Sequence, residues 1–147
     1  MNRIIKDLIH DYIQKVEARF EQFSRETNTP SPKTNLDWAL KGPKKKGTLS
    51  DGTTYSKHGY GCLFEGEKDS VDFDFGEHGE IDGFDTWRLI NYFESLDSEG
   101  LQLKESEIKE WINTEEKEGR IEKRGNLYYL KNKPNKTVQT TSASARV

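Results

Sequence analysis

Residues 71–89 read VDFDFGEHGEIDGFDTWRL, and the change of period inside this stretch decides the fold. Val71, Phe73 and Phe75 alternate with Asp72 and Asp74, the period of a strand with one apolar and one acidic face. Gly76-Glu77-His78-Gly79 turns the chain, and Glu80-Ile81-Asp82 starts another short strand. Asp85 then opens a helix: its carboxylate can accept from the free amides of the first turn, and its charge suits the positive end of the dipole. Trp87, Leu89, Ile90, Phe93 and Leu96 form the expected buried stripe, and Asp97-Ser98-Glu99-Gly100 ends the helix.

Upstream, Ser50-Asp51-Gly52 is a turn, Thr53 to Tyr55 favour a strand, and Tyr60 to Phe64 read as a second one. The short polar turn at 65–69 makes these strands an antiparallel meander. Further out, residues 1–26 carry the longest regular signal. Ile5, Leu8, Ile9, Tyr12, Ile13, Val16, Phe20 and Phe23 recur at helical steps. Residues 27–50, with three of the four prolines, read as a linker that Asp37 to Leu40 can pin to the core through one helical turn. Downstream, a helix over 105–118 turns Ile108, Trp111 and Ile112 inward and stops at Gly119. Ile121 to Leu130 form a hairpin about Gly125-Asn126. The core domain is thus expected over 51–130, and 131–147 as a flexible polar tail. The fold class is α+β: a long N-terminal helix, a small antiparallel sheet, two further helices and a C-terminal β-hairpin.

Composition bounds the function. The chain has 147 residues, 31% hydrophobic and 33% charged, with a formal net charge of -3. That size suits one domain. One cysteine, Cys62, excludes an internal disulfide. The N-terminal helix carries Asp7 and Asp11 and reads as neither signal peptide nor membrane span, so the expected compartment is the cytoplasm. The near-neutral total hides three blocks: +4 over 1–64, -10 over 65–99 and +3 over 100–147. An acidic block of this density attracts cationic surfaces and repels phosphate backbones.

Three kinds of chemistry deserve weighing. His58 and Cys62 could act as base and nucleophile, but four residues of extended strand separate them by about 13 Å. A small buried Cys62 is the plainer reading. Asp72, Asp74, Asp82 and Asp85, with His58 and His78 nearby in sequence, could bind a divalent cation or serve acid–base catalysis. No known metal, dinucleotide or kinase spacing accompanies them, so no cofactor is expected. A helix followed by a hairpin also resembles the end of a winged-helix domain. Its helix carries six Glu against Lys109 and Lys117, which opposes duplex binding; Arg120, Lys123 and Arg124 on the hairpin are the residual cations.

The blocks His58-Gly59-Tyr60-Gly61-Cys62, Val71 to Gly76 and Ile81 to Leu89 resemble an uncharacterised bacterial domain family with the pattern HGxGC, DFDFG and GxIDGFDxWRL. The motif residues here are His58, Gly59, Gly61, Cys62, Asp72, Asp74, Gly76, Asp82, Gly83, Asp85 and Trp87. Small domains of this sort resemble immunity proteins encoded beside bacterial polymorphic toxins. The resemblance implies a non-enzymatic protein whose partner is a cognate toxin, covered at its active site by an acidic face. Asp72, Asp74, Glu77, Glu80 and Asp82 would supply the charge, and Tyr55 and Tyr60 the aromatic anchors. A small hydrolase and a regulatory winged-helix-like domain are the alternatives.

Overall fold

The computed structural model describes residues 2–43, 45–96 and 101–131. Helix α1 (Asn2–Thr27) and a short helix α2 (Asn35–Lys41) precede strands β1 (Lys46–Thr48), β2 (Thr54–His58), β3 (Gly61–Glu65) and β4 (Ser70–Asp74). Helices α3 (Thr86–Ser95) and α4 (Glu105–Lys117) follow, then the hairpin β5 (Ile121–Arg124) and β6 (Leu127–Leu130). The first four strands form one antiparallel sheet in sequence order. The architecture is α+β, with the long N-terminal helix, the meander and the terminal hairpin as expected. Among the described residues, no helix is long and apolar enough to cross a membrane.

The core forms where α1 lies on one face of the sheet. Tyr55 pairs with Phe64, Phe64 with Val71, and Cys62 with Phe73, and all five are buried. Cross-strand partners share a face, so these residues form one apolar patch. Phe20 and Phe23 of α1 meet it edge-on, with Phe23 4.8 Å from the Tyr55 ring and Phe20 6.2 Å from Phe73. Such geometry sets positive ring edges against negative ring faces. Farther along α1, Tyr12 donates its hydroxyl to the Asp72 carbonyl at 2.5 Å, and its ring is 5.7 Å from Tyr92 of α3.

The N-terminal helix shares one hydrophobic core with the sheet. Three local expectations change. The segment 27–50 holds the anticipated turn, as α2 with Trp38 buried, but it also supplies β1 and the buried Leu49. β1 escaped notice because Lys46-Gly47-Thr48 has no apolar alternation; it is a short edge strand, and a lysine there discourages pairing with another chain. Glu80 to Asp82 is not a strand. The chain instead makes a single bridge one step later, between Phe84 and Tyr128 of the hairpin. In α3 the buried stripe is Leu89, Tyr92 and Phe93, while Ile90 and Leu96 are half-buried and Trp87 is 56% exposed. Trp87 lies two residues before Leu89, about 200° around the helix, which turns it outward. The expected helix stop at 97–100 and the tail beyond 131 lie outside the described residues.

Candidate functional site

The two-residue turn Gly59-Tyr60 joins β2 to β3, so His58 pairs with Gly61 and Lys57 with Cys62. Adjacent strand residues point to opposite faces. The His58 ring and the Cys62 thiol therefore sit on opposite sides of the sheet. Cys62 is fully buried, and burial pushes its thiol up to about 12. A thiol so placed does not form the thiolate that nucleophilic attack requires. The register thus separates the Cys62/His58 pair weighed as nucleophile and base, and Cys62 is the small buried residue of the plainer reading. The separation of about 13 Å holds for one continuous strand, whereas the chain reverses between the two residues.

His58 instead reaches across β3 to Asp72, with Nε2 2.6 Å from Oδ1. Gly61 lies between them and permits this crossing. A Cβ there would overlap the Phe73 carbonyl and meet Asp74 Oδ1 at 2.5 Å. Burial raises the Asp72 pKa, against the opposing pull of the His58 contact. Asp74, on the same face, accepts from Arg88 Nη2 at 3.0 Å. Arg88 also pairs with Asp85, whose other oxygen caps α3 by accepting from the Arg88 amide at 2.8 Å. Burial alone would depress the Arg88 pKa, but Asp85, Asp74 and Asp72 outweigh it and raise it. Three of the four foreseen aspartates, Asp72, Asp74 and Asp85, are thus engaged by a guanidinium and an imidazole of the same chain. Among the described residues, no group of three or more His, Cys, Asp or Glu could hold a metal ion.

Beyond Asp74 the surface becomes concave. A cleft of about 700 Å³ opens between the Asp74–Glu80 loop and the tip of the hairpin. Its walls include Tyr60, Asp74, Glu77, Glu80, Arg124 and Tyr129. The loop is tied down at both ends: Phe75 donates to the Tyr60 carbonyl and Gly76 to the Glu80 carbonyl, each at 2.8 Å. Gly76 is glycine because the Tyr129 hydroxyl and the Glu80 carboxylate occupy the space a Cβ would take. Gly83 is crowded in the same way, by Leu127 and by the Tyr129 ring at 3.0 Å. The motif glycines thus seat the hairpin on the loop, and the cleft is the space left beside that contact.

The seven residues foreseen as partner contacts divide. Tyr60, Asp74, Glu77 and Glu80 line the cleft, with Tyr60 47% exposed. Asp72 lies back on the sheet, half-buried against His58. Asp82 is buried. Tyr55 is also buried, its ring against Phe23, so it serves the core and not the surface. The sequence reading missed Arg124 and Tyr129 as cleft residues. The Arg124 guanidinium lies 3.9 Å over the Tyr129 ring and 3.4 Å from Glu80, and burial pushes the Tyr129 phenol up to about 12. Only tertiary contact between the hairpin and the loop reveals them, since they stand 44 or more residues from Glu80 and Asp74.

No curated protein and no solved structure matches the chain. Residues 5–130 match the family described as Domain of unknown function (DUF6896), which spans α1 through the terminal hairpin, and the chain belongs to that family.

Proposed function

We propose that this protein is a non-enzymatic binding protein, an immunity protein that neutralises a cognate bacterial toxin by covering its active site with an acidic surface. The observation that carries this reading is the cleft, where Asp74, Glu77 and Glu80 meet Tyr60 on one concave face. Many toxins that cut nucleic acid present basic clefts. A carboxylate-lined surface would steer such a partner and pair with its cations. The catalytic alternatives find less support. The thiol is buried and high in pKa, and Asp72, Asp74 and Asp85 are engaged by His58 and Arg88.

The test is co-expression with the product of the adjacent gene. Rescue of the cells, together with a stable complex on gel filtration, supports immunity; a toxic neighbour that this chain fails to neutralise rejects it. Charge reversal belongs at Glu77, which is exposed. At Asp72 or Asp74 the same change would break internal ion pairs and confuse folding with binding.

A further inference from the structure

We infer that the cleft receives an arginine side chain of the partner, held between the Tyr60 ring and the carboxylates of Asp74 and Glu77. This rests on the binding reading above and names the group that is bound. The first ground is that the cleft already accommodates one guanidinium. Arg124, from the chain's own hairpin, lies over Tyr129 at 3.9 Å from the ring centre, with Glu80 3.4 Å from its Nη1. The same cleft is also lined by Tyr60, Asp74 and Glu77, a second ring with carboxylates. Tyr60 supplies an exposed ring, and Glu77 an exposed carboxylate to which no described residue donates. Asp74 has one oxygen held by Arg88.

A second ground is the balance of the lining. Arg88 and Arg124 engage Asp74 and Glu80, and the third carboxylate, Glu77, is left for a further cation. The third is preorganisation. The Tyr60 turn is fixed by the Phe75 amide, and the loop by Gly76 and Glu80, so few groups need ordering when a side chain enters. Arginine fits better than lysine. Its planar guanidinium can stack on a ring while donating in its plane to carboxylates, whereas an ammonium is a compact, strongly hydrated charge.

The experiment titrates the full chain with two capped peptides, acetyl-(Gly-Arg)4-amide and acetyl-(Gly-Lys)4-amide, at low salt. Heat and backbone amide shifts are the readouts. The arginine peptide is expected to bind more tightly by up to about fivefold, with the largest shifts at Gly76, Glu77 and His78; a whole exposed cation–π contact is worth roughly that ratio, and lysine keeps part of it. Tyr60→Ala and Glu77→Gln should each remove the preference, while Tyr60→Phe should keep it. Both sites are exposed, so urea unfolding should be unchanged and loss of fold is excluded as a cause. Equal affinity for the two peptides, or a preference untouched by both substitutions, overturns the inference. The two readings fail separately. Toxin neutralisation that survives Tyr60→Ala and Glu77→Gln overturns the arginine site and leaves the immunity function standing. Peptide selectivity in a protein that neutralises nothing supports the site and rejects the toxin.

Discussion

The two ends of the four-stranded sheet handle acidic side chains in opposite ways. At one end, the turns leading into β2 and out of β3 carry Asp51 and Asp69. Helix α1 lays two cations across them: Lys15 is 2.9 Å from Asp69, and Arg19 is 3.1 Å from Asp69, 3.3 Å from Asp51 and 2.9 Å from the Thr53 hydroxyl. At the other end, Asp74, Glu77 and Glu80 surround a cleft, and Arg88 and Arg124 engage only two of the three. The first end is closed by charge and ties helix to sheet. The second keeps a cleft beside the glycines that let the hairpin dock, and it retains an unanswered carboxylate. The acidic block of the sequence is therefore two features, one structural and one available to a partner.

The largest effect should come from removing the cation that closes the first end. Arg19→Ala leaves Asp69 with Lys15 alone and removes the donor to the Thr53 hydroxyl oxygen. Arg19 and Asp69 are 15% and 11% exposed, and Lys15 still pairs with Asp69, so the cost is that of Arg19's charge-assisted hydrogen bonds. A loss of about 3 kcal/mol is expected from urea denaturation. A loss under about 0.5 kcal/mol would mean that the two ends do not differ in kind. Next comes Gly76→Ala at the open end. The added methyl displaces the Tyr129 hydroxyl and Glu80, and overpacking of this sort costs roughly 1–3 kcal/mol. Amide shifts should spread into the hairpin and leave the Arg19 end unmoved.

The pH dependence of Asp69 at the closed end and of Asp72 in mid-sheet should carry opposite signs. Burial works against ionised Asp69, but hydrogen bonds from Lys15 and Arg19 prevail, and its pKa is lowered. Its stabilisation is present above the ordinary carboxylate pKa and is lost as pH falls through the depressed value. Asp72, raised by burial, does the reverse: its contribution is complete below the ordinary value and is lost as pH rises through the raised one. Urea midpoints between pH 2 and 6 should therefore show less acid loss in Asp69→Asn, and less decline with rising pH in Asp72→Asn. Matching slopes in the two variants would erase the distinction.

The elements were legible because their signals are local. The alternation of Val71, Phe73 and Phe75 and the cap at Asp85 lie within single elements, and the structure places a strand and an N-cap there. The same holds for the stop at Gly119, whose φ of 79° suits glycine. Exposure was less legible. Tyr55 and Trp87 exchanged places between surface and core, since burial depends on which element packs opposite. The charge blocks correctly marked an acidic region but not its neutralisation, because Lys15, Arg19 and Arg124 arrive from the two basic flanks. Half of the cleft was likewise out of reach, since the hairpin that supplies Arg124 and Tyr129 docks through Phe84 and Gly83.

The smallest stability effect belongs to Trp87→Ala, and its size decides whether α3 completes the open end or merely borders it. Of the three tryptophans, Trp38 and Trp111 are buried and Trp87 is exposed. Its one aromatic contact among the described residues is with Arg88, whose guanidinium lies 5.6 Å from the ring. Arg88 is independently held by Asp74 and Asp85, so it should keep its place without the ring. The cost is then that of one exposed cation–π contact, about 0.5–1 kcal/mol. Quenching of tryptophan fluorescence by acrylamide should lose its most accessible component, while the amide shifts of Asp74 and Gly76 stay in place. A loss above about 2 kcal/mol, with those shifts displaced, would make Trp87 a support of Arg88. The open end would then depend on a side chain from outside the sheet, as the closed end depends on Arg19.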